Sequence, residues 1–207
     1  MPHTLPPEPL FGDPLPVEGH SPQTLHLLAT RRSPSAMTLA APGPDAEELE
    51  QLLRLAARVP DHGKLSPWRF VVLERAPKAA FVAALEAIAA ARPDAEKALP
   101  ALGKLRTPPL SVAVISRVTE GKIPGWEQEL SAGAVCMTLL IAARAMGYGA
   151  NWITDWYAYD ESAGRLLGLG EGERVAGFVH LGTAPEPPLE RVRPDMAEIV
   201  SRWSPPA

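Results

Sequence analysis

The sequence predicts an α+β fold, with a mixed central sheet of about four to five short strands flanked by helices. Two patterns predict it. Helical periodicities alternate irregularly with short β-branched runs, and residues 127–146 are apolar nearly all round beyond Ser131. A helix without a polar face belongs in the interior, so residues 127–146 are expected to form a long buried central helix closed by Gly147. We expect one domain over residues 23–207, preceded by a proline-rich N-terminal arm over residues 1–22 that holds seven of the 24 prolines.

The helices follow from spacing and capping. Asp45 is a predicted N-cap, and the apolar residues 49, 52, 53 and 56 follow it at the spacing of one helix face, which predicts a helix ending near Arg58. Similar patterns predict helices from residue 23 to Arg31, over 77–91, over 94–105, from Asp160 to 167, and from Asp195 onwards.

The strands are short apolar runs bounded by proline or glycine. Residues 68–73, 111–116, 149–153 and 175–181 are rich in β-branched or aromatic side chains and are predicted to be strands. Between the second helix and the first strand, residues 60–63 (Pro-Asp-His-Gly) predict a turn or loop.

Composition excludes several classes of protein. Twenty Lys and Arg against 24 Asp and Glu give a net charge of −4, which does not favour a general nucleic-acid binder. The N-terminus lacks the pattern of a secretory signal, and the longest apolar run is shorter than the roughly 18 residues of a membrane span. The single cysteine, Cys136, lies among apolar neighbours and is interpreted as a buried, inert thiol. These features predict a cytoplasmic protein without a disulfide.

Common catalytic signatures are absent from the sequence. There is no P-loop and no Gly-x-Ser-x-Gly motif, and the glycines at 168, 170 and 172 follow a helix rather than the strand that a dinucleotide fingerprint requires. The five histidines lack the spacing of metal ligands, so no metal site is predicted.

Two segments carry polar groups that could bind a ligand. Arg31, Arg32 and Ser33 follow the first helix and could donate several hydrogen bonds to a phosphate, although a solvated basic helix end is an alternative. The stretch from Pro60 to Phe70 presents Asp, His, Lys and Ser before a strand and could contact a polar planar ligand. An irregular loop followed by a core aromatic residue is the alternative there.

Four motifs together resemble the NAD(P)H nitroreductase family, most of all its small, single-domain, FMN-dependent subgroup. They are Arg31-Arg32-Ser33, the Pro-Asp-His…Pro-Trp-Arg-Phe stretch, the helix entry from Trp126 to Gly133, and Leu181-Gly182-Thr183 before a basic tail. The resemblance extends over residues 24–203, with the motifs in family order. It implies a nitroreductase-like fold and a homodimer with FMN at the subunit interface.

The resemblance also implies roles for individual residues. Arg31, Arg32 and Ser33 would hold the phosphate and ribityl end of FMN, and Arg58 and His62 would reach the FMN from the partner subunit. Trp152, Ile153 and Thr154 would line the isoalloxazine ring, and Arg191 or Arg193 would close over the phosphate. No side chain is assigned a catalytic step, because FMN carries the hydride.

The expected function is that of an NAD(P)H nitroreductase-like flavoenzyme that reduces nitroaromatics, quinones or similar acceptors in a ping-pong cycle. One alternative is a flavin-binding or sensory protein without turnover; another is a hydrolase that uses His62 with Asp61 and Ser66. Ile153 and Gly63 stand where close relatives tend to have basic residues. Trp126 is a candidate for stacking on substrate, with a core or interface role as the alternative.

Overall fold

A computed structural model describes residues 5–17 and 19–206 and contains one four-stranded sheet. The strands are β1 (Trp68–Leu73), β2 (Leu110–Arg117), β3 (Gly149–Ile153) and β4 (Glu173–Gly182), in the spatial order β1-β2-β4-β3. All four coincide with the predicted runs or extend them by one or two residues. The predicted α+β class is confirmed.

All neighbouring strands in this sheet are antiparallel, so the prediction of a mixed sheet is wrong. The strands β2 and β3 do run in the same direction, as strands joined through a helix commonly do. They are not neighbours, however, because β4 lies between them and pairs antiparallel with both.

Helices cover both faces of the sheet, and most lie where the sequence predicts them. The bounds are α1 (Pro22–Thr30), α2 (Ala46–Ala56), α3 (Arg75–Ala90), α4 (Ala95–Ala101), α5 (Gly103–Arg106), α6 (Gly125–Ala145), α7 (Glu161–Leu167) and α8 (Met196–Ile199). The predicted helix over 94–105 is two helices, α4 and α5, because Pro100 and Gly103 weaken a continuous helix there. Asp45 caps α2 as predicted, in a reciprocal pair with Glu48 in which each backbone N–H donates to the other side chain at 2.9 Å.

The helix α6 packs against one face of the sheet and forms the larger part of the core. Val135, Cys136 and Leu139 are fully buried there against β2 and β4. Burial raises the pKa of the Cys136 thiol to about 12, in agreement with the interpretation of an inert thiol. The first turns of α6 are different, because Trp126 and Leu130 are 63% and 64% exposed. The central helix is therefore buried over its second half and open to solvent at its start.

The described residues near both ends of the chain lie on the surface. Residues 5–17 and 19–21 contain no helix or strand, and Pro6 accepts a hydrogen bond through its carbonyl from Arg54 Nη2 at 3.2 Å. Residues 1–4 and 18 of the predicted arm lie outside the described residues. After Pro185 the chain is again exposed, with Val192 and Trp203 at 95% and 85% exposure. No described helix is both long and apolar enough to cross a membrane.

Candidate functional site

A cavity of about 230 Å³ lies where the chain leaves α1 and meets the end of α6. Arg31, Arg32 and Ser33 line one side of it, as the sequence predicts. Arg144, in the last turn of α6, lines the other side and donates hydrogen bonds to the carbonyl and hydroxyl oxygens of Thr30 at 2.9 and 3.0 Å. The basic segment and the central helix therefore meet at one site.

Positive charge accumulates around Arg31. Its pKa is lowered by burial and then, in order of size, by the charges of Arg193, Arg32, Arg144 and Arg191. Within this arginine cluster the carboxylate of Glu190 lies 2.9 Å from Arg193 Nη2 and 3.6 Å from Arg32 Nε. One glutamate among five arginines leaves the cluster strongly cationic, which is the charge pattern of an anion site. The donor set therefore fits a phosphate group.

Short contacts to the strand edge and to the C-terminal tail hold the basic segment in place. Asn151 Nδ2 on β3 donates to the Pro34 carbonyl at 2.6 Å, and Arg32 Nε donates to the Leu189 carbonyl at 2.9 Å. The surroundings of Gly149 are also close, because an added Cβ would lie 2.7 Å from Leu39 Cδ2 and 3.1 Å from both Pro34 Cγ and Ala184 Cβ. A side chain at residue 149 would therefore displace Leu39 and would also crowd the Pro34 end of the basic segment.

Sequence reasoning missed Arg144 and Asn151. A signal existed for Arg144, because it is the single charged residue in the apolar stretch over residues 131–146. Asn151 carried no such signal. Its side-chain oxygen, Oδ1, is buried and has no hydrogen-bond partner among the described residues, whereas Nδ2 of the same amide holds Pro34.

Trp152 lies in a slot between the sheet and the middle of α6. Residue 176 is an extra residue in β4, a β-bulge opposite Val114 and Ile115, and its carbonyl accepts a hydrogen bond from Trp152 Nε1 at 3.3 Å. Gly177 follows the bulge, and a Cβ there would overlap the indole ring. On the helix side, a Cβ at Gly133 would lie 3.9 Å from Trp152 Cη2. Trp152 as a whole is 37% exposed, so this slot covers it only in part.

The other two residues predicted to line the isoalloxazine ring, Ile153 and Thr154, follow Trp152 directly. Ile153 is the last residue of β3 and pairs with Phe178 of β4. Thr154 Oγ1 accepts a hydrogen bond from Tyr159 Oη at 2.7 Å. Residues 152–154 thus continue from the arginine cluster along the edge of the sheet.

The structure does not bring Arg58 and His62 to the arginine cluster of the same chain. His62 Nδ1 lies 2.7 Å from Glu127 Oε2 in the first turn of α6, whereas Arg144 is in the last turn. At ~1.5 Å of rise per residue, these two ends of α6 are about 25 Å apart. Arg58 is exposed and comes four residues before His62 in the chain.

The geometry contradicts the hydrolase alternative. Both carboxylate oxygens of Asp61 accept backbone N–H groups, from Leu65 at 3.0 Å and Ser66 at 2.8 Å. His62 is paired with Glu127 rather than with Asp61. Three neighbouring residues of one loop therefore do not form a triad.

Known proteins are similar to this chain over most of its length. The model of the nitroreductase family matches residues 27–183. A protein of Escherichia coli K12 named "Putative NAD(P)H nitroreductase YdjA" is 37% identical over 164 residues, which cover 77% of this chain and 87% of that protein.

Solved structures share the fold. A nitroreductase-like family protein from Bacillus cereus superposes with a TM-score of 0.79 at 19% identity, covering 90% of this chain and 99% of that one. A nitroreductase with bound FMN from Bacteroides fragilis superposes with a TM-score of 0.68 at 20% identity, covering 89% and 100%.

Proposed function

Because this chain belongs to the nitroreductase family, we propose that it is an FMN-dependent oxidoreductase that takes electrons from NAD(P)H and passes them to electron-poor acceptors such as nitroaromatics or quinones. The observation that carries the proposal is the arginine cluster around Arg31, which is cationic, partly desolvated and next to the start of β3, the strand that also carries Trp152. A relative at 37% identity whose name includes NAD(P)H nitroreductase supports the electron donor, and a structure of the same fold that holds FMN supports the cofactor.

The residues of the cluster would hold the phosphate end of FMN. Arg31 and Arg32 supply guanidinium donors, Ser33 supplies a hydroxyl, and Arg144 adds a fourth donor from α6. Arg193 already lies against this segment, with Nη2 3.4 Å from the Arg31 carbonyl, and with Arg191 it would cover the phosphate. Several guanidinium groups around one phosphate give charge-assisted hydrogen bonds, which are stronger than neutral ones.

The wall formed by Trp152, Ile153 and Thr154 would support the flavin ring. When bound, FMN supplies the two-electron redox chemistry, so the chain needs no nucleophile or metal. Its own residues bind and orient the cofactor and shield one side from water. Donor and acceptor would use the open side of the ring in turn, which is a ping-pong scheme.

We propose that the complete site requires two copies of the chain. His62 is paired with Glu127, which lies about 25 Å along α6 from Arg144, too far for His62 and the arginine cluster to share one cofactor within a chain. Arg58 comes four residues before His62 in the chain. A second copy would bring its His62 end to the arginine cluster of the first. It would also cover Leu25 and Leu28 of α1, a helix with no buried residue, and the exposed Trp126 of α6.

The absorbance spectrum of the purified protein tests this proposal. After addition of FMN and gel filtration, we expect the protein to elute at the mass of a dimer and to show the absorbance bands of bound flavin. NADH or NADPH should bleach these bands in the absence of oxygen, and a nitroaromatic or quinone should then restore them. Initial rates at several acceptor concentrations should give parallel double-reciprocal lines. Protein that retains no FMN would refute the proposal, and flavin that NAD(P)H does not bleach would favour a binding protein without turnover.

A matched pair of variants connects the spectrum to the site. Arg31→Gln removes one charge from the cluster, and we expect the Kd for FMN to rise about tenfold, since a hydrogen bond to a charged group contributes about 1.5–3 kcal/mol. Arg165→Gln removes a charge from α7, where the guanidinium is exposed and lies 3.7 Å from Glu161. This control should leave the Kd unchanged.

A further inference from the structure

The loop before β1 has a strained backbone. Gly63 has a φ of +80°, which glycine tolerates, but Lys64 and Ser66 follow with φ values of +56° and +47°. Residues with a side chain rarely adopt this left-handed conformation, because their Cβ approaches the backbone too closely. Such strain persists only where surrounding contacts enforce it, and it is concentrated at functional sites.

Four contacts enforce this conformation. Asp61 accepts the backbone N–H groups of Leu65 and Ser66 on its two carboxylate oxygens at 3.0 and 2.8 Å. At the two ends of the loop, Ser131 Oγ donates to the Pro60 carbonyl at 2.7 Å, and Arg117 Nε donates to the Ser66 carbonyl at 3.1 Å. Asp61 is the central contact, since only a carboxylate offers two equivalent acceptors.

A fifth contact fixes the ring of His62. Its Nδ1 lies 2.7 Å from Glu127 Oε2, and a carboxylate can only accept, so Nδ1 carries the proton. The His62 side chain is 63% exposed and the Glu127 side chain is 30% exposed. The loop therefore exposes the His62 ring to solvent. Lys64, which directly follows Gly63, is exposed as well.

We propose that Asp61 and Glu127 are positioning residues, which hold this loop in one conformation so that His62 and Lys64 meet the FMN bound to a second copy of the chain. The proposal rests on the proposed function. Its physical reason is preorganisation: side chains that are already fixed lose less conformational entropy when the cofactor binds. Asp61 acts on the backbone and Glu127 acts on the imidazole, so each acts through other residues.

A double-mutant cycle tests the role of Glu127. The Kd for FMN is measured for the wild type, Glu127→Ala, His62→Ala and the double variant. If Glu127 acts through His62, each single variant should raise the Kd about tenfold and the double variant should raise it no further, since contacting residues are not additive. Equal effects of Glu127→Ala with and without His62 would overturn the proposal, as would an unchanged Kd in Glu127→Ala.

Asp61→Asn is compared with a matched control. Asp160 also accepts two backbone N–H groups, at 2.9 and 3.0 Å, but both on Oδ1, which an asparagine retains, and at the start of α7. Both Asn variants remove a carboxylate from such a turn. Asp61→Asn should raise the Kd for FMN about fivefold or more, whereas Asp160→Asn should leave it unchanged. Equal Kd values for the two would overturn the proposal.

Amide hydrogen exchange of the FMN-free protein supplies a readout that does not depend on the cofactor. In Asp61→Asn the amides of Leu65 and Ser66 should exchange at least about tenfold faster than in the wild type, because their acceptors are weakened. Unchanged exchange would overturn the proposal even if the Kd changes. If wild-type protein binds no FMN while exchange in the variant does accelerate, the proposed function fails and the loop restraint by Asp61 stands.

Discussion

Replacement of Gly177 by alanine should displace the indole of Trp152. A Cβ at this position would lie 3.1 Å from Trp152 Cε2 and closer still to Nε1 and Cδ1. Carbon atoms in ordinary contact are about 3.5–4.0 Å apart, so the rigid ring cannot stay where it is. The variant should therefore lose the slot that orients this part of the wall.

The expected loss of stability follows from the same contacts. A ring that leaves the slot gives up the hydrogen bond from Nε1 to the Ala176 carbonyl, which contributes about 1 kcal/mol. A ring that stays must shift the strand instead, and overpacking of this kind costs about 1–3 kcal/mol. We expect Gly177→Ala to lower the free energy of unfolding by about 1–3 kcal/mol, near the lower end if the ring leaves the slot and higher if the strand shifts.

Urea unfolding of FMN-free protein, followed by circular dichroism, measures the change. Gly133→Ala is the matched control, because its Cβ would lie at an ordinary 3.9 Å from the same indole and alanine favours a helix interior by about 1 kcal/mol. The two variants should thus move stability in opposite directions. If Gly177→Ala costs as much in a Trp152→Ala background as in the wild type, overlap with the indole is not the reason and the argument is refuted.

Three further outcomes are expected. Burial lowers the pKa of His180 to about 3 from its ordinary value of 6.5, so between these pH values the unfolded chain binds a proton that the folded chain does not. The free energy of unfolding should therefore rise with pH between about 3 and 6.5, and it should rise less steeply in His180→Gln. The hydrogen bond from Arg69 lowers the pKa of Glu173 to about 2 from an ordinary value of 4.5, so Glu173 adds to the slope until it is ionised in the unfolded chain as well, above about pH 5.5. Urea titrations between about pH 5.5 and 6.5 therefore separate His180 from Glu173, and an unchanged slope in the variant would contradict this assignment. Ser66→Gly should stabilise FMN-free protein by about 1 kcal/mol, because glycine tolerates the φ of +47°; a lower melting temperature would count against strain there. Asp45→Ala should cost about 1 kcal/mol in urea unfolding through loss of the α2 cap, and a neutral result would mean that the cap contributes nothing.

Local patterns in the sequence predict most elements well. The strand over 149–153 and the helix that Asp160 caps are found with the predicted bounds, because each depends on neighbouring residues: a β-branched or aromatic run, an N-cap and a terminal glycine. Gly168 ends α7 with a φ of +75°, as a glycine after a helix commonly does. The relative direction of the strands was not predictable in this way. It depends on β4, late in the chain, inserting between β2 and β3.

In the candidate site, too, local motifs indicate some residues, whereas others come from distant parts of the chain. The sequence indicates Arg31, Arg32 and Ser33 as a phosphate-binding segment, but it does not reveal the approach of Arg144 from more than a hundred residues away. Nor does it show that β4 contains a bulge at residue 176, which together with Gly177 makes room for Trp152.

By itself, the sequence determined most of the elements and the family, and it predicted Arg31, Arg32 and Ser33 as a segment that could bind an anion, because these follow from periodicity, capping and short motifs. The proline-rich start was also visible as a separate composition, and the arm over residues 1–22 remains a prediction. Only the tertiary structure decided that the sheet is antiparallel and that a cationic cluster forms around Arg31. It also decided that His62, paired with Glu127, lies about 25 Å along α6 from the Arg144 end of that cluster. These are distances between residues far apart in the chain, and they depend on how the core packs around α6.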